Sequence, residues 1–147
     1  MPDGDRPARY WLFKSEPSVW SWDDQMAKGS AGEEWDGVRN YQARNAMREM
    51  ALGDLGFFYH SQDQKAVVGI VEVCAVAHPD STTDDPRWDC VDIRAVRPLP
   101  RAVTLAEIKA DPALAEMVLV RNTRLSVQPV RPDEWTRVLA MAGAADA

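Results

Sequence analysis

The chain has only two cysteines and two histidines, and four of its seventeen basic residues are lysine. Cys74 and Cys90 both fall inside strand-like apolar runs and read as buried, reduced thiols. They are too few for a disulfide framework. Two histidines eighteen residues apart (His60 and His78) and two isolated cysteines do not give the ligand spacing of a zinc site. A Gly-rich phosphate loop of the Walker or dinucleotide type is also missing, so neither metal nor cofactor is expected. No apolar run approaches the ~20 residues needed to cross a bilayer, which excludes a membrane span of that kind. Met1-Pro2-Asp3-Gly4-Asp5-Arg6 has neither the basic nor the apolar region of a secretory signal, so the expected location is cytoplasmic. The formal net charge of −6 argues against non-specific attachment to long duplex DNA, which needs a broad basic surface. A local basic patch is still compatible with that charge, and a cationic side-chain set dominated by arginine favours planar, forked contacts.

What is present suffices for one domain. A length of 147 residues with 46% hydrophobic residues supports a single sizeable core, with no internal repeat and no second core expected. Residues 1–9 read as a flexible N-terminal tail, 10–142 as the domain, and 143–147 as a C-terminal tail. Tyr10-Trp11-Leu12-Phe13-Lys14 is an aromatic strand, stopped at Ser15-Glu16-Pro17 because the residue before proline prefers extended geometry. Ser21 and Asp24 form a capping-box pair that predicts a helix over 22–28, ended by Gly29. Residues 30–34 read as a flexible link. Ala43, Ala46, Met47, Met50 and Ala51 recur at helical period, with Asn40 as N-cap and Gly53 as stop. Strands are predicted over 55–60 and 66–76, joined by a five-residue hairpin loop. Gly69 marks a bulge or a close backbone approach. Another strand covers 88–96. Thr104 and Glu107 cap a helix ending near Lys109, a turn occupies 112–116, and 125–128 returns to the sheet. Pro132-Asp133-Glu134 opens the last helix. The expected class is α+β: a strongly curved, mostly antiparallel sheet forming a small barrel flanked by helices.

The densest polar cluster is Arg39, Asn40, Gln42, Arg44 and Asn45, which follows Trp35-Asp36-Gly37-Val38 and opens a helix. Backbone donors beside a flat ring and guanidinium groups suit a planar, hydrogen-bonding or anionic ligand. Three further segments mix hydrogen-bonding groups with apolar walls: Lys14-Ser15-Glu16-Pro17, Tyr59-His60-Ser61 and Arg124-Leu125-Ser126-Val127-Gln128-Pro129. Their convergence would make a pocket that stacks a planar base and reads its edge. Trp11, Trp20, Trp22, Trp88 and Trp135 read more simply as core anchors. Catalysis is the weaker reading. His60 and Ser61 are adjacent on a strand and point to opposite faces, and no carboxylate is placed to orient the imidazole. Glu16 and Asp36 could pair as carboxylates, but nothing local sets one apart from the other. The chain is therefore read as a binding module and not as an enzyme.

These segments, in this order, resemble the EVE domain family of the PUA-like superfamily, which includes the thymocyte nuclear protein family. The matching text is 10–17, 35–45, 59–61, Asp80, Trp88 and 124–129, and the resemblance spans about 10–139. It implies a PUA-like β-barrel with a pocket at its mouth and recognition of modified bases, notably modified cytosines such as 5-methyl- or 5-hydroxymethylcytosine. Carried over by position, the implied ligand-binding residues are Lys14, Ser15, Glu16, Trp35, Gly37, Val38, Arg39, Asn40, Tyr59, His60, Ser61, Arg124, Leu125, Ser126 and Val127. Arg44 is an added phosphate contact. The expected partner is modified DNA or RNA, single-stranded or with a flipped base. The alternative is a sensor of a free nucleoside, nucleotide or other small planar or anionic ligand using the same pocket.

Overall fold

The computed structural model describes residues 9–144. The tails expected over 1–9 and 143–147 lie outside the described residues except for Arg9, Gly143 and Ala144. Of these, Arg9 is tied down by an ion pair to Glu49 (2.9 Å), and Ala144 is buried.

Six strands form one mixed sheet: β1 (Tyr10–Ser15), β2 (Glu33–Glu34), β3 (Leu55–His60), β4 (Ala66–Pro79), β5 (Asp89–Thr104) and β6 (Val127–Val130), in the order β2-β5-β4-β3-β1-β6. β1 and β3 run parallel, and every other pairing is antiparallel. The order ends at β2 and β6. Among the described residues the ladder is thus an open sheet, where a strongly curved sheet forming a small barrel was expected. Five helices accompany it: α1 (Trp22–Ala27), α2 (Tyr41–Glu49), α3 (Leu105–Ala110), α4 (Val118–Arg121) and α5 (Pro132–Met141).

Helices pack on both faces of the sheet, so there are two apolar clusters where one core was expected. Along β1, Leu12 joins Phe57, Tyr59, Ile108, Trp135 and Val138 on one face. Trp11 and Phe13 join Phe58, Trp22, Trp35, Met47 and Ile93 on the other. A strand covered on both sides reads as an unbroken apolar run, as 10–13 and 57–59 do.

The local signals hold where the interaction is local. Ser21 Oγ accepts from the Asp24 N–H (3.1 Å) while Asp24 Oδ2 accepts from the Ser21 N–H (2.9 Å), and Thr104 and Glu107 repeat the arrangement. Asn40 caps α2 by accepting from the Ala43 N–H at 2.8 Å. That helix ends at Glu49, four residues before the glycine taken as its stop. Two strands outrun the prediction: β4 extends to Pro79, and β5 runs through Pro98 and Pro100. Pro98 pairs with Gly69 between two register shifts, where the ladder is already interrupted and a missing N–H costs little. Residues 29–31 form a single 3-10 turn, and Glu33–Glu34 pair with Ile93 and Asp92, so the expected flexible link is an edge strand.

Gly69 serves both roles read for it. A register shift in β4 lies beside it, opposite Phe58 and Tyr59, and a Cβ at Gly69 would stand 2.5 Å from the Trp22 ring. Gly69→Ala is expected to displace Trp22 and destabilise the fold by about 2–4 kcal/mol, the scale of an overpacked core. Urea unfolding followed by tryptophan fluorescence measures this; an unchanged midpoint would show that the Trp22 ring moves freely.

Candidate nucleic-acid interface

β1 emerges from the sheet beside β6 and β3, and its last residues are fixed from both sides. The Lys14 N–H donates to Ser126 O (2.9 Å), and the Ser61 N–H donates to Ser15 O (2.9 Å). The next residues turn back on themselves, with the N–H groups of Val19 and Trp20 both donating to Glu16 O at 2.9 Å and Ser15 Oγ donating to Trp20 O. Across from this turn lie β2 and the loop that follows it. Between them opens a cleft of about 470 Å³.

The loop over 35–39 is held in shape by a buried carboxylate. Asp80, 2% exposed, accepts from the Gly37 N–H (2.8 Å) and Arg39 Nη1 (3.1 Å) through Oδ2, and from the Thr82 N–H (2.8 Å) and hydroxyl (2.5 Å) through Oδ1. Burial opposes ionisation of this group, but the bonds from Thr82, Gly37 and Arg39 outweigh it and hold the pKa down at about 2. Gly37 turns with φ +77°, a left-handed conformation that suits glycine. At the loop's other end the Trp35 N–H donates to Val91 O (2.8 Å).

Eight of the residues expected at the site line this cleft: Lys14, Ser15, Glu16, Trp35, Gly37, Val38, Arg39 and Ser126. The remaining eight do not. Asn40 faces solvent and caps α2. Tyr59 is buried, with Lys14 Nζ 5.9 Å from its ring centre. His60 Nε2 accepts from the Trp22 N–H (2.9 Å), which leaves the ring proton on Nδ1 to donate to Gln64 Oε1 (2.7 Å). Ser61 Oγ donates to Ser15 O (3.2 Å), so His60 and Ser61 do not form a base–nucleophile pair. Leu125 and Val127 sit in the apolar cluster behind the cleft, because alternation along the chain turns Ser126 out and its neighbours in. Arg124 is exposed outside the cleft. Arg44 is bound to Arg87 O (2.9 Å) and Asn45, and lies over the Tyr41 ring.

Val19, Trp20, Glu33, Glu34 and Asp36 also line the cleft but were not read as site residues. Trp20 departs from an expectation: it is only partly buried, its Nε1 donates to Gln25 Oε1 (3.0 Å), and it forms cleft wall while packing against the edge of the core. Trp35 reverses it the other way. Only 9% exposed, it is wedged edge-on against Phe13 and Phe58. Proximity to Pro17 and the absence of an apolar partner at helical spacing were the available signals for Trp20.

Charge in the cleft runs against a simple phosphate grip. Four carboxylates (Glu16, Glu33, Glu34 and Asp36) face two cations, Lys14 and Arg39. Burial lowers the Lys14 pKa, and its Nζ donates to Thr123 O (2.7 Å). Burial, followed by the charges of Asp80, Glu34 and Glu33, raises that of Asp36. Behind the wall, Glu34, His78 and Cys90 bring three metal-ligating atoms within 4.8 Å of one another, a convergence invisible in their spacing. Each is already engaged: Glu34 by Ser81 and the Cys90 thiol, His78 by Asp92 (2.8 Å) and Pro79 O, and Cys90 by Glu34 within an environment whose burial pushes its thiol pKa up.

The EVE domain model matches residues 9–141. The chain belongs to the EVE domain family. A solved structure from Agrobacterium tumefaciens is 60% identical with a TM-score of 0.94, covering 95% of this chain and 97% of that one. The human THYN1 protein, crystallised in complex with 5-methylcytosine-containing DNA, is 35% identical with a TM-score of 0.85, covering 92% and 98%. Thymocyte nuclear protein 1 of Mus musculus is 36% identical over 94% of this chain and 75% of its own length. In this EVE domain the cleft wall therefore rests on one buried acid.

Because the folded pKa of Asp80 lies below its ordinary value of 3.8, the carboxylate stabilises the fold above that value. The contribution, about 2 kcal/mol, is lost as the pH falls through about 4 toward 2. Asp80→Asn should therefore destabilise the domain by about that much at pH 7, with the difference shrinking toward pH 2. Denaturant midpoints of both proteins across this range test the assignment, and a difference independent of pH would contradict it.

Proposed function

We propose that this EVE domain reads a modified base in nucleic acid, drawing a flipped or single-stranded base into the cleft beside β1. The observation that carries the reading is a base-sized cleft walled by Trp20 and Trp35, in a domain 35% identical to a protein crystallised with 5-methylcytosine-containing DNA. Trp20, the more exposed indole, supplies the stacking face, and Trp35 closes the wall from the core side. Ser126, Val38 and the backbone around Gly37 line the space for the base edge. Exposed Arg124, outside the cleft, is the cation available to a flanking phosphate, while Lys14 and Arg39, both hydrogen-bonded within the protein, add positive charge at the margin. Among the described residues no helix is long and apolar enough to cross a membrane. The free thiols of Cys74 and Cys90 are in keeping with the cytoplasmic setting expected from the sequence. The four register shifts between β4 and β5 support a sheet bent in the PUA-like manner, with the cleft at its mouth.

The excess of carboxylates in the cleft favours one second reading, a sensor of a free nucleoside that brings no phosphate. Ionic strength separates the two. Binding to an oligonucleotide should weaken steeply with salt, whereas binding to a neutral nucleoside should hardly change.

The test is fluorescence anisotropy with single-stranded oligonucleotides differing only in 5-methylcytosine or cytosine at one position. Tighter, salt-sensitive binding of the modified strand is expected, and equal affinities at low salt for this and 5-hydroxymethylcytosine would remove the reading. Trp20→Ala should weaken binding about tenfold with little loss of stability, as removal of a stacking platform does. Trp35→Ala should instead destabilise the fold by about 3–5 kcal/mol.

A further inference from the structure

Four carboxylates lining a cleft proposed to receive part of a polyanion need a reason. Two of them have one. Glu33 pairs with Lys28 (3.4 Å), and Glu34 accepts from the Ser81 hydroxyl (2.7 Å) and N–H (3.1 Å). Among the described residues, the side chains of Glu16 and Asp36 have no hydrogen-bond or ion-pair partner, so the cleft holds unused acceptors. Its cations are committed instead: Arg39 to Asp80 and Thr82, and Lys14 to Thr123 O. A ligand edge that donates is therefore matched here, and one that only accepts is not.

The two free acids differ in how firmly they are held. Glu16 is a long side chain on an exposed turn. Asp36 is short and sits between two residues whose backbone N–H groups are both fixed, Trp35 by Val91 O and Gly37 by Asp80. Its neighbour Trp35 forms part of the same wall. Asp36 is exposed, as Glu16 is, but the backbone that carries its short side chain is placed in advance, and the surrounding negative charge makes a donated N–H the more welcome.

We propose that the Asp36 carboxyl accepts from the exocyclic amine of the bound base, so that the site selects cytosine-type bases and rejects thymine and uracil. This rests on the base-reading function proposed above and adds the residue that chooses the base. At its Watson–Crick edge cytosine offers the N4 amine as donor beside the N3 acceptor. Thymine offers the O4 acceptor beside an N3–H. A carboxylate meets the amine of the first and the repelling oxygen of the second.

5-Methylcytosine and thymine carry the same ring methyl, so single-stranded oligonucleotides differing only in these two bases isolate the amine. The unaltered protein is expected to prefer 5-methylcytosine by about tenfold or more, the scale of one good base-edge contact. Asp36→Asn presents one donor and one acceptor, which can satisfy either base edge. It should bind the two strands within about twofold of each other. Asp36→Ala should lose affinity for the 5-methylcytosine strand while thermal unfolding stays unchanged; the asparagine variant decides the matter should the alanine variant unfold. Full preference retained in Asp36→Asn would overturn the role of Asp36 and leave the base-reading function standing. Absence of binding to either strand at low salt would overturn both.

Discussion

Asp80 is the contact on which the cleft depends. It is buried, ionised and four times hydrogen-bonded, and it joins the loop after β4 to the loop after β2. Burying a carboxylate is costly unless its lone pairs are satisfied, and here backbone and side-chain donors converge to satisfy them. The Gly37 N–H and the Arg39 guanidinium are thereby pinned, Arg39 is brought within 5.4 Å of the Trp88 ring, and Asp36 is left at a fixed place between two anchored neighbours. β2 has only two residue pairs to β5, too little to position a loop by itself. Further restraint comes from Asp80, from Val91, which accepts the Trp35 N–H, and from Ser81, which donates twice to Glu34.

The site divides its work between elements that cannot move and groups that remain available. The parallel β1–β3 pair is covered on both faces and fixes Ser15 and Ser61 to each other at its carboxyl end. His60 serves that end by accepting the Trp22 N–H, which engages its Nε2 in the scaffold. Among the described residues, the groups left available in the cleft include an indole face of Trp20, the Ser126 hydroxyl and the carboxyls of Glu16 and Asp36. Stacking surface plus acceptor is the chemistry that the proposed base reading requires.

Several features were legible along the chain because the interaction that makes them is short in sequence. The capping boxes at Ser21 and Thr104, the Asn40 cap and the stripe from Ala43 to Met50 each lie within a few turns of backbone. Strands 55–60 and 10–14 were legible from unbroken aromatic runs, although two-sided burial was not inferred from them. The site was half legible: Lys14, Ser15, Trp35, Arg39 and Ser126 were named from their segments, and the family resemblance singled out Asp80. The exchange of roles between Trp20 and Trp35 was not legible. Both are tryptophans beside polar residues, and which one is buried depends on Phe13 and Phe58 arriving from other strands.

By itself the sequence determined the local elements, the α+β class and the family, because caps, periodicities and ordered segments are properties of neighbouring residues. The tertiary structure alone decided that the sheet is open, that β2 exists, and that Leu125, Val127, Tyr59 and His60 belong to the scaffold while Trp20 and Asp36 belong to the cleft. Each of those outcomes rests on contacts between residues tens of positions apart, such as Glu34 with Asp92 and Gly37 with Asp80, and no local pattern carries that information.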